Sequence, residues 1–394
     1  MTTGVSKKAL FLLVYLTSFL YSFQYALPLY IESSFISQFL SSEKVVGLIF
    51  SFAAIFTVTY TFLLPRILKR FGNYWATLGA MGVEIVTLVV LAFCSDPATS
   101  PILALIAFIV FLVTSSVIFL NLDYFVENFT DNEKTGSMRG IFMTVLNIAV
   151  ATAPFVAGLM LTDHDFWKIW AAAAVIMSLG FFVIAKYFRN YEDPHYLVHP
   201  FRATFRIVRE SHDLHSIILM HFLLSFFFVW MVIYTPIYLN TDMGIPMNEI
   251  LSTIIPIALL PFVLFEVFFG RLADTKYGEK EMLTIGFVIM GVSTATIAWM
   301  TSSNVYLWAA LLFMTRFGAS AVEAMTESYF YKKVGPEDAH LITFMRTMRA
   351  TSYIIAPIIG SLLLMFIDFR FLFLILGILM IAATPYSLTI KDTK

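Results

Sequence analysis

Long apolar runs alternate with short polar stretches from one end of this chain to the other. Each run approaches the ~20 residues that an α-helix needs to cross a bilayer. Because lipid offers no partners for backbone N–H and C=O groups, such runs are expected to be helices. We predict twelve spans, at approximately 9–30, 45–64, 75–94, 101–122, 140–161, 166–187, 214–238, 250–269, 282–300, 305–329, 343–366 and 370–389.

Composition agrees with a membrane protein. Hydrophobic residues make up 59% of the 394 residues and charged residues only 13%, whereas a soluble domain is about half apolar and a quarter charged. The first apolar run follows Lys7 and Lys8, but it is too long for a signal-peptide core and lacks a small-residue cleavage site. We therefore predict an uncleaved first helix in an all-α integral membrane protein.

The loops on the two sides of the predicted membrane differ in charge. Most Lys and Arg residues fall on one side, whereas the opposite loops carry mainly acids, including Asp96, Asp163 and Asp242. The positive-inside rule then places both termini in the cytoplasm. We expect a multi-pass protein of the cell membrane, and the short loops suit a prokaryotic inner membrane. The net charge of −1 gives no reason to expect a nucleic-acid partner.

The longest internal polar stretch, 188–213, divides the predicted helices six and six. We predict an N-terminal six-helix bundle over 1–187, a partly helical cytoplasmic connector over 188–213 and a C-terminal bundle over 214–394. Four features recur in the same order at nearly constant spacing, which indicates an internal repeat. The matched pairs are Pro28 with Pro236, Glu43 with Glu249, Gly72 with Gly278, and Pro154 with Pro357.

The segment GRLADTKYGEK, from Gly270 to Lys280, resembles the loop signature of the major facilitator superfamily, G-x-L-A-D followed by basic residues around a glycine. The resemblance implies two six-helix bundles related by a pseudo-two-fold axis along the membrane normal, with solute bound between them. It also implies a cytoplasmic gate built from Gly270, Asp274, Lys276 and Gly278. In the first half Arg66, Arg70 and Gly72 keep the basic and glycine positions, but Leu68 replaces the acid.

The fifth span carries Gly140, Ala149, Ala153, Pro154, Ala157 and Gly158. This spacing is similar to the glycine-proline pattern of the superfamily's drug/proton antiporters, with alanine at three glycine positions. Small residues let helices approach closely, so ordinary packing explains the pattern as well as antiport does.

Ionisable groups at membrane depth suggest functional sites, because they are costly to bury. Arg316, Glu323 and Glu327 share one stripe of the tenth span, and Arg346 and Arg349 enter the eleventh at a similar depth. We predict a carboxylate–guanidinium network at the cytoplasmic end of the second half. Its counterpart in the first half is Asp123, Glu127 and Arg139. The alternative is that these charges only hold helix ends together.

The superfamily lines its central cavity with its first, fourth, seventh and tenth helices. Polar and aromatic candidates there, and on the neighbouring fifth and eleventh helices, are Tyr21, Gln24, Tyr25, Asn147, His221, Tyr234 and Tyr353. Each of them could instead make a structural hydrogen bond between helices. Glu84 and Glu266 are further isolated acids, which we interpret as supporting a neighbouring helix and the gate, respectively.

We expect a secondary transporter that works by alternating access, exporting a small amphipathic or hydrophobic compound against protons. The alternatives are import of a small solute such as a sugar or peptide and, less favoured, a membrane enzyme acting on lipid. The seven histidines lie mostly in loops and form no metal-ligand pair with an acid, so we expect no enzyme, no metal and no cofactor. The expected partners are the bilayer, the solute and protons, with the chain a monomer.

Overall fold

A computed structural model describes residues 7–391 apart from 41, 43–44, 97–98, 130–134, 162–164, 190–200, 266–267, 270–271, 273–277 and 335–338. Every regular element in this part of the chain is helical. The chain divides into two compact units, Met1–Val198 and His199–Lys394.

The first unit contains six helices. They are α1 (Lys7–Ala26), α2 (Glu32–Ser37), α3 (Val46–Phe93), α4 (Pro101–Phe129), α5 (Thr135–Met160) and α6 (Phe166–Tyr187). The second and third predicted spans are both contained in α3, which is far longer than a bilayer is thick. Gly72 interrupts it with φ 77° and ψ 159°. Glycine adopts a positive φ without the steric penalty of a side chain, so the predicted loop is reduced to a kink at one residue.

In its described residues, the second unit begins with a short helix and continues with seven longer or shorter helices whose bounds are complete. They are α7 (Phe201–Glu210), α8 (His212–Thr241), α9 (Met247–Leu264), α10 (Glu279–Thr296), α11 (Val305–Lys333), α12 (Ala339–Leu364), α13 (Phe369–Ile381) and α14 (Thr384–Thr389). A π-helical segment, Ile250–Ile254, lies inside α9. Pro256 follows it and has no N–H to donate, which favours this local change in hydrogen bonding.

Ten described helical segments are long and apolar enough to cross a membrane. Two shorter apolar segments, Val46–Thr61 and Val145–Met160, stand at the second and fifth predicted spans. The prediction of a twelve-helix membrane protein is therefore confirmed. The last predicted span, 370–389, differs in detail because a turn at Ala382 and Ala383 separates α13 from α14.

The helices of the two units pack in a repeated pattern. In the first unit the second part of α3 packs on α4 and α6, and α1 packs on α5. In the second unit α10 packs on α11 and α13, and α8 packs on α12. The third span thus contacts the fourth and sixth as the ninth contacts the tenth and twelfth. This shared pattern agrees with the repeat predicted from sequence.

Within the predicted connector, α7 packs against α8 and α12 of its own unit. Thr204 and Val208 are buried, while Arg206 and Arg209 are exposed. Phe205 remains half exposed but has its ring 6.4 Å from that of Phe344. The helix is amphipathic, as expected for a segment lying at a membrane surface.

One glycine on each of two neighbouring helices lets α10 approach them closely. A Cβ added at Gly318 of α11 would lie 2.5 Å from the backbone nitrogen of Met290 in α10. A Cβ added at Gly377 of α13 would lie 2.6 Å from the backbone nitrogen of Ala295. Such contacts involve backbone atoms, which cannot move aside independently. Small residues of this kind are how membrane helices gain close van der Waals packing.

We expect Gly318→Ala to destabilise the protein by about 1–3 kcal/mol, the usual cost of an overpacked interior. Gly79→Ala is the matched control, because no atom other than its own helix backbone and chain neighbours lies within 4 Å of the added Cβ. Thermal unfolding in detergent should show a lower midpoint for Gly318→Ala only. Equal midpoints for the two variants would contradict the close approach of α10 and α11.

Candidate functional site

Arg316 lies in the interior of α11 with only 3% of its surface exposed. Its Nη1 donates to Thr315 Oγ1 at 2.9 Å, and the Thr315 hydroxyl donates to the Leu312 carbonyl at 2.7 Å. The guanidinium carbon lies 5.9 Å from the centre of the Phe227 ring in α8. A buried guanidinium held by a hydroxyl and an aromatic face is suited to contacting an anionic or polar solute group.

Aromatic side chains surround this part of α11. The ring of Phe317 lies 5.1 Å from that of Phe265 and 5.1 Å from that of Phe269. Phe313 stacks on Phe317 at 6.5 Å. The guanidinium therefore projects from a helix whose neighbouring positions are strongly apolar, which raises the energetic cost of leaving its charge without partners.

A second group of charges joins α8, α11 and α12. Glu327 of α11 is half-buried, and the guanidinium groups of Arg346 and Arg349 in α12 both act on it electrostatically. Arg349 also lies near His221 of α8. The Nδ1 atom of His221 is buried and has no hydrogen-bond partner within the described residues. The structure thus brings four of the sequence-predicted residues into one group within the second unit.

The remaining candidates of the second unit flank this group. Glu323 lies one helical turn before Glu327, and Tyr353 one turn after Arg349; both are half-buried. Tyr234 of α8 is fully buried, and its hydroxyl donates to the Pro357 carbonyl of α12 at 2.9 Å. Tyr234 therefore holds α8 against α12 at the proline, a structural contact that does not itself indicate solute binding.

Candidates in the first unit also make interhelical contacts. The hydroxyl of Tyr21 donates to the Ser115 carbonyl of α4 at 2.6 Å. The side-chain amide of Gln24 lies 3.5 Å from Glu84 Oε1 in α3. The ring of Tyr25 stacks on that of Tyr21 at 6.2 Å, and Asn147 of α5 is half-buried. Tyr21 and Gln24 thus face the interior of their own unit.

The predicted gate is only partly described. Gly270, Asp274 and Lys276 lie outside the described residues, as do Glu43 and Glu266, and so do the side chains of Glu127 and Arg139. Arg66 and Arg70 are exposed just before the Gly72 kink, and Asp123 is buried in α4. Gly278 directly precedes α10.

Two ion pairs at the C-terminal end of α11 were not predicted from the sequence. Lys332 pairs with Glu279 at the start of α10 at 2.7 Å, and Lys333 pairs with Asp213 at the start of α8 at 3.1 Å. Both acids occupy the first turn of a helix, where the dipole favours negative charge. The sequence does show two adjacent lysines at the end of one helix and acids at the start of two others. It does not indicate which of these helices meet.

Glu84 was interpreted from sequence only as a supporting residue. It is completely buried in α3 and contacts Gln24, Thr114 and Ser115. The adjacent hydroxyls of Thr114 and Ser115 inside the most apolar span were visible in the sequence. Their relation to Glu84 depends on the packing of α3 against α4, which no local pattern specifies.

The side chains described in both units can bind protons or polar groups of a solute, but they do not resemble a metal centre. Among the described residues, no group of three or more His, Cys, Asp or Glu side chains is arranged to hold a metal ion. Charged groups buried within membrane-spanning helices are instead typical of proteins that move solutes or ions.

The comparisons with known proteins identify the class. The chain matches the family profile described as the Major Facilitator Superfamily over residues 14–260 and 249–393. Because these matches cover nearly the whole sequence, the chain belongs to this superfamily and is a membrane transporter. No curated protein sequence matches it significantly.

Several solved structures are similar in fold. An auto-inhibited POT family peptide transporter matches with a TM-score of 0.77 at 11% identity, covering 97% of this chain and 98% of that one. A POT family transporter in complex with 5-aminolevulinic acid matches with a TM-score of 0.75 at 12% identity, covering 95% and 94%. The nucleoside transporter NupG matches with a TM-score of 0.72 at 16% identity, covering 97% and 100%. At these identities the likeness establishes the fold alone.

We expect a measurable coupling energy between Glu279 and Lys332, because Glu279 is only 1% exposed although Lys332 is 40% exposed. A double-mutant cycle of Glu279→Gln and Lys332→Gln should give about 1 kcal/mol, since exposed pairs give less and buried ones more. The matched control is Asp165 with Lys168, which lie 2.6 Å apart and whose side chains are 41% and 33% exposed, so that neither partner is fully buried. Equal coupling energies for the two pairs, measured by thermal unfolding, would contradict a stabilising role for the Glu279–Lys332 pair.

Proposed function

We propose that this protein is a secondary active transporter of a small organic solute, working by alternating access and coupled to protons. The observation that supports this most directly is Arg316, a residue that is 3% exposed within an apolar, membrane-spanning helix. A charge in that position is costly and is usually retained for a function. In this proposal Arg316 contacts the solute or the coupling acid during the transport cycle.

The group formed by Glu327, Arg346, Arg349 and His221 supports the same proposal. It contains one acid, one histidine and two guanidiniums on three helices of one unit. Protonation of the acid or the histidine changes the net charge of the group, and therefore its attraction for a charged solute. Glu323 and Tyr353, one turn away on the same helices, complete the proposed coupling region.

Two versions differ in solute and direction. Export of an amphipathic or hydrophobic compound, by antiport with protons, is supported by the aromatic residues around Arg316 and by the small-residue pattern of α5. Uptake of a small polar solute such as a peptide or a sugar is supported by the fold neighbours, which are named as peptide and nucleoside transporters. The proposal covers both, and the sign of the proton movement distinguishes them.

The test uses purified protein in liposomes with a pH dye inside and an imposed proton gradient. Hydrophobic cations, dipeptides, sugars and nucleosides are added in turn. We expect at least one class to cause proton movement, outward or inward according to the version. Solute movement without proton movement would contradict the coupling, and no movement of any of these solutes would contradict the proposed substrate classes.

Arg316→Ala should lower the initial rate of solute-driven proton movement at least about tenfold, the kinetic equivalent of losing one charge-assisted hydrogen bond. Arg316→Lys should recover only part of the rate, because an ammonium cannot reproduce the planar fork. The matched control is Arg370→Ala, since Arg370 is half exposed and lies 3.7 Å from Asp368 outside the proposed site. Wild-type rates in Arg316→Ala would contradict this role.

A further inference from the structure

The strongest feature outside the proposed site is a buried carboxyl group in the first unit. Glu84 lies in the second part of α3 and has no exposed surface. Its Oε1 accepts from the Ser115 hydroxyl at 2.5 Å, and the Gln24 amide lies 3.5 Å from the same oxygen. Its Oε2 is in hydrogen-bond contact with the Thr114 hydroxyl. Three side chains from α1 and α4 therefore converge on one acid.

The Thr114 hydroxyl has more acceptors than it can serve. Its oxygen lies 2.9 Å from the Val110 carbonyl and 3.2 Å from the Phe111 carbonyl, in addition to its contact with Glu84. A hydroxyl has one hydrogen to donate and two lone pairs that accept. When that hydrogen points to Val110, the hydrogen between Thr114 and Glu84 must belong to Glu84. A protonated Glu84 thus satisfies both of its own oxygens and the Thr114 hydroxyl.

An ionised Glu84 is also satisfied after a small change. Rotation of the Thr114 hydroxyl redirects its hydrogen from the Val110 carbonyl to Glu84 Oε2. The Val110 carbonyl keeps its helical backbone partner, the N–H of Thr114. The hydrogen bonds of the protonated and ionised forms of Glu84 therefore differ only by the rotation of one hydroxyl. A carboxyl group with a purely structural role would not need this second hydrogen-bond arrangement.

Two buried oxygens next to this group have no partner within the described residues. They are Gln24 Oε1 and Glu32 Oε1, on side chains whose exposure is 0% and 2%. Glu84 lies close enough to the Glu32 carboxyl, at the start of α2, to act on it electrostatically. Two buried carboxyl groups that repel each other favour holding at least one proton between them.

The described residues that act on Glu84 include no cation. Besides Glu32, charged residues on the elements around it lie at helix ends or just before the kink in α3. They are Arg66, Lys69 and Arg70 before the α3 kink, Asp123 late in α4, Lys168 and Lys186 at the two ends of α6, and Lys7 and Lys8 opening α1. A proton is consequently the simplest positive charge to balance Glu84. The Gln24 amide nitrogen, which directs its hydrogens at Glu84 Oε1, disfavours a metal cation at that oxygen, because a cation needs oxygen lone pairs around it.

We propose that Glu84 binds and releases the proton coupled to transport, with Thr114 changing hydrogen-bond partner in step. Binding converts the carboxylate and one proton into a carboxylic acid that donates to Thr114 Oγ1. Release returns the proton to water, and the Thr114 hydroxyl then donates to Glu84. This inference rests on the proposed proton-coupled function. It assigns the coupled proton to Glu84 of the first unit rather than to Glu327 or His221 of the second.

Infrared difference spectroscopy, comparing each purified variant with the wild type, tests whether Glu84 is protonated, independently of any transport. We expect a carboxylic-acid C=O band at neutral pH that disappears in Glu84→Gln and shifts in Thr114→Val, where the hydroxyl partner is removed. The matched control is Glu249→Gln, an exposed acid just before the π segment of α9, which should leave the band unchanged. A spectrum unaltered by Glu84→Gln would overturn the proposal.

Transport in liposomes then tests coupling. Glu84→Gln should retain exchange of solute across the membrane while losing solute-driven proton movement, and Glu84→Asp should recover part of it. Proton movement at the wild-type rate in Glu84→Gln would overturn the proposal, as would transport that requires Na⁺ and is indifferent to protons. If the wild type moves none of the solutes, the proposed function fails, but the infrared result still decides the protonation of Glu84.

Discussion

The requirement that polar groups find partners inside the bilayer governs this structure more than any other. Helices satisfy the backbone within each span, and the side chains follow the same rule. Tyr21 donates to a carbonyl of α4, and Tyr234 donates to a carbonyl of α12. Each bond joins the first membrane-spanning helix of a unit to a neighbouring helix. Close packing at Gly318 and Gly377 adds van der Waals contacts between helices of the second unit, which matter because lipid gives membrane helices little hydrophobic reason to associate.

Against that background two groups of buried ionisable side chains are exceptions, one in each unit. The second unit holds guanidiniums and acids on α11 and α12, with His221 nearby. The first unit holds Glu84 among hydroxyls and an amide, with Glu32 as its charged neighbour among the described residues. This asymmetry supports a division of labour in the proposed cycle, in which the second unit attracts the solute and the first carries the proton.

Hydrophobic run length was sufficient to predict the helices, because lipid leaves the backbone no other choice. It did not predict that α3 continues to Gly72, since a single positive φ replaces a loop without any change in hydropathy. Helical spacing placed Glu327 at the depth of Arg346 and Arg349. It could not show that Tyr21, Gln24 and Tyr234 turn towards their own units, nor that Glu84 meets Thr114 and Ser115, because these contacts depend on how distant helices rotate against one another.

The central claim is that the solute site opens in turn to the two sides of the membrane as the two units move. Spin-label distances measure this directly, in a background where Cys94, the single cysteine, is replaced by serine. Labels at Lys69 and Lys391 report on the predicted cytoplasmic side, and labels at Asp96 and Asp242 on the opposite side; all four residues are exposed. Alternating access predicts that one distance shortens as the other lengthens when solute or pH is changed. Distances that stay constant, or that change together, would contradict it.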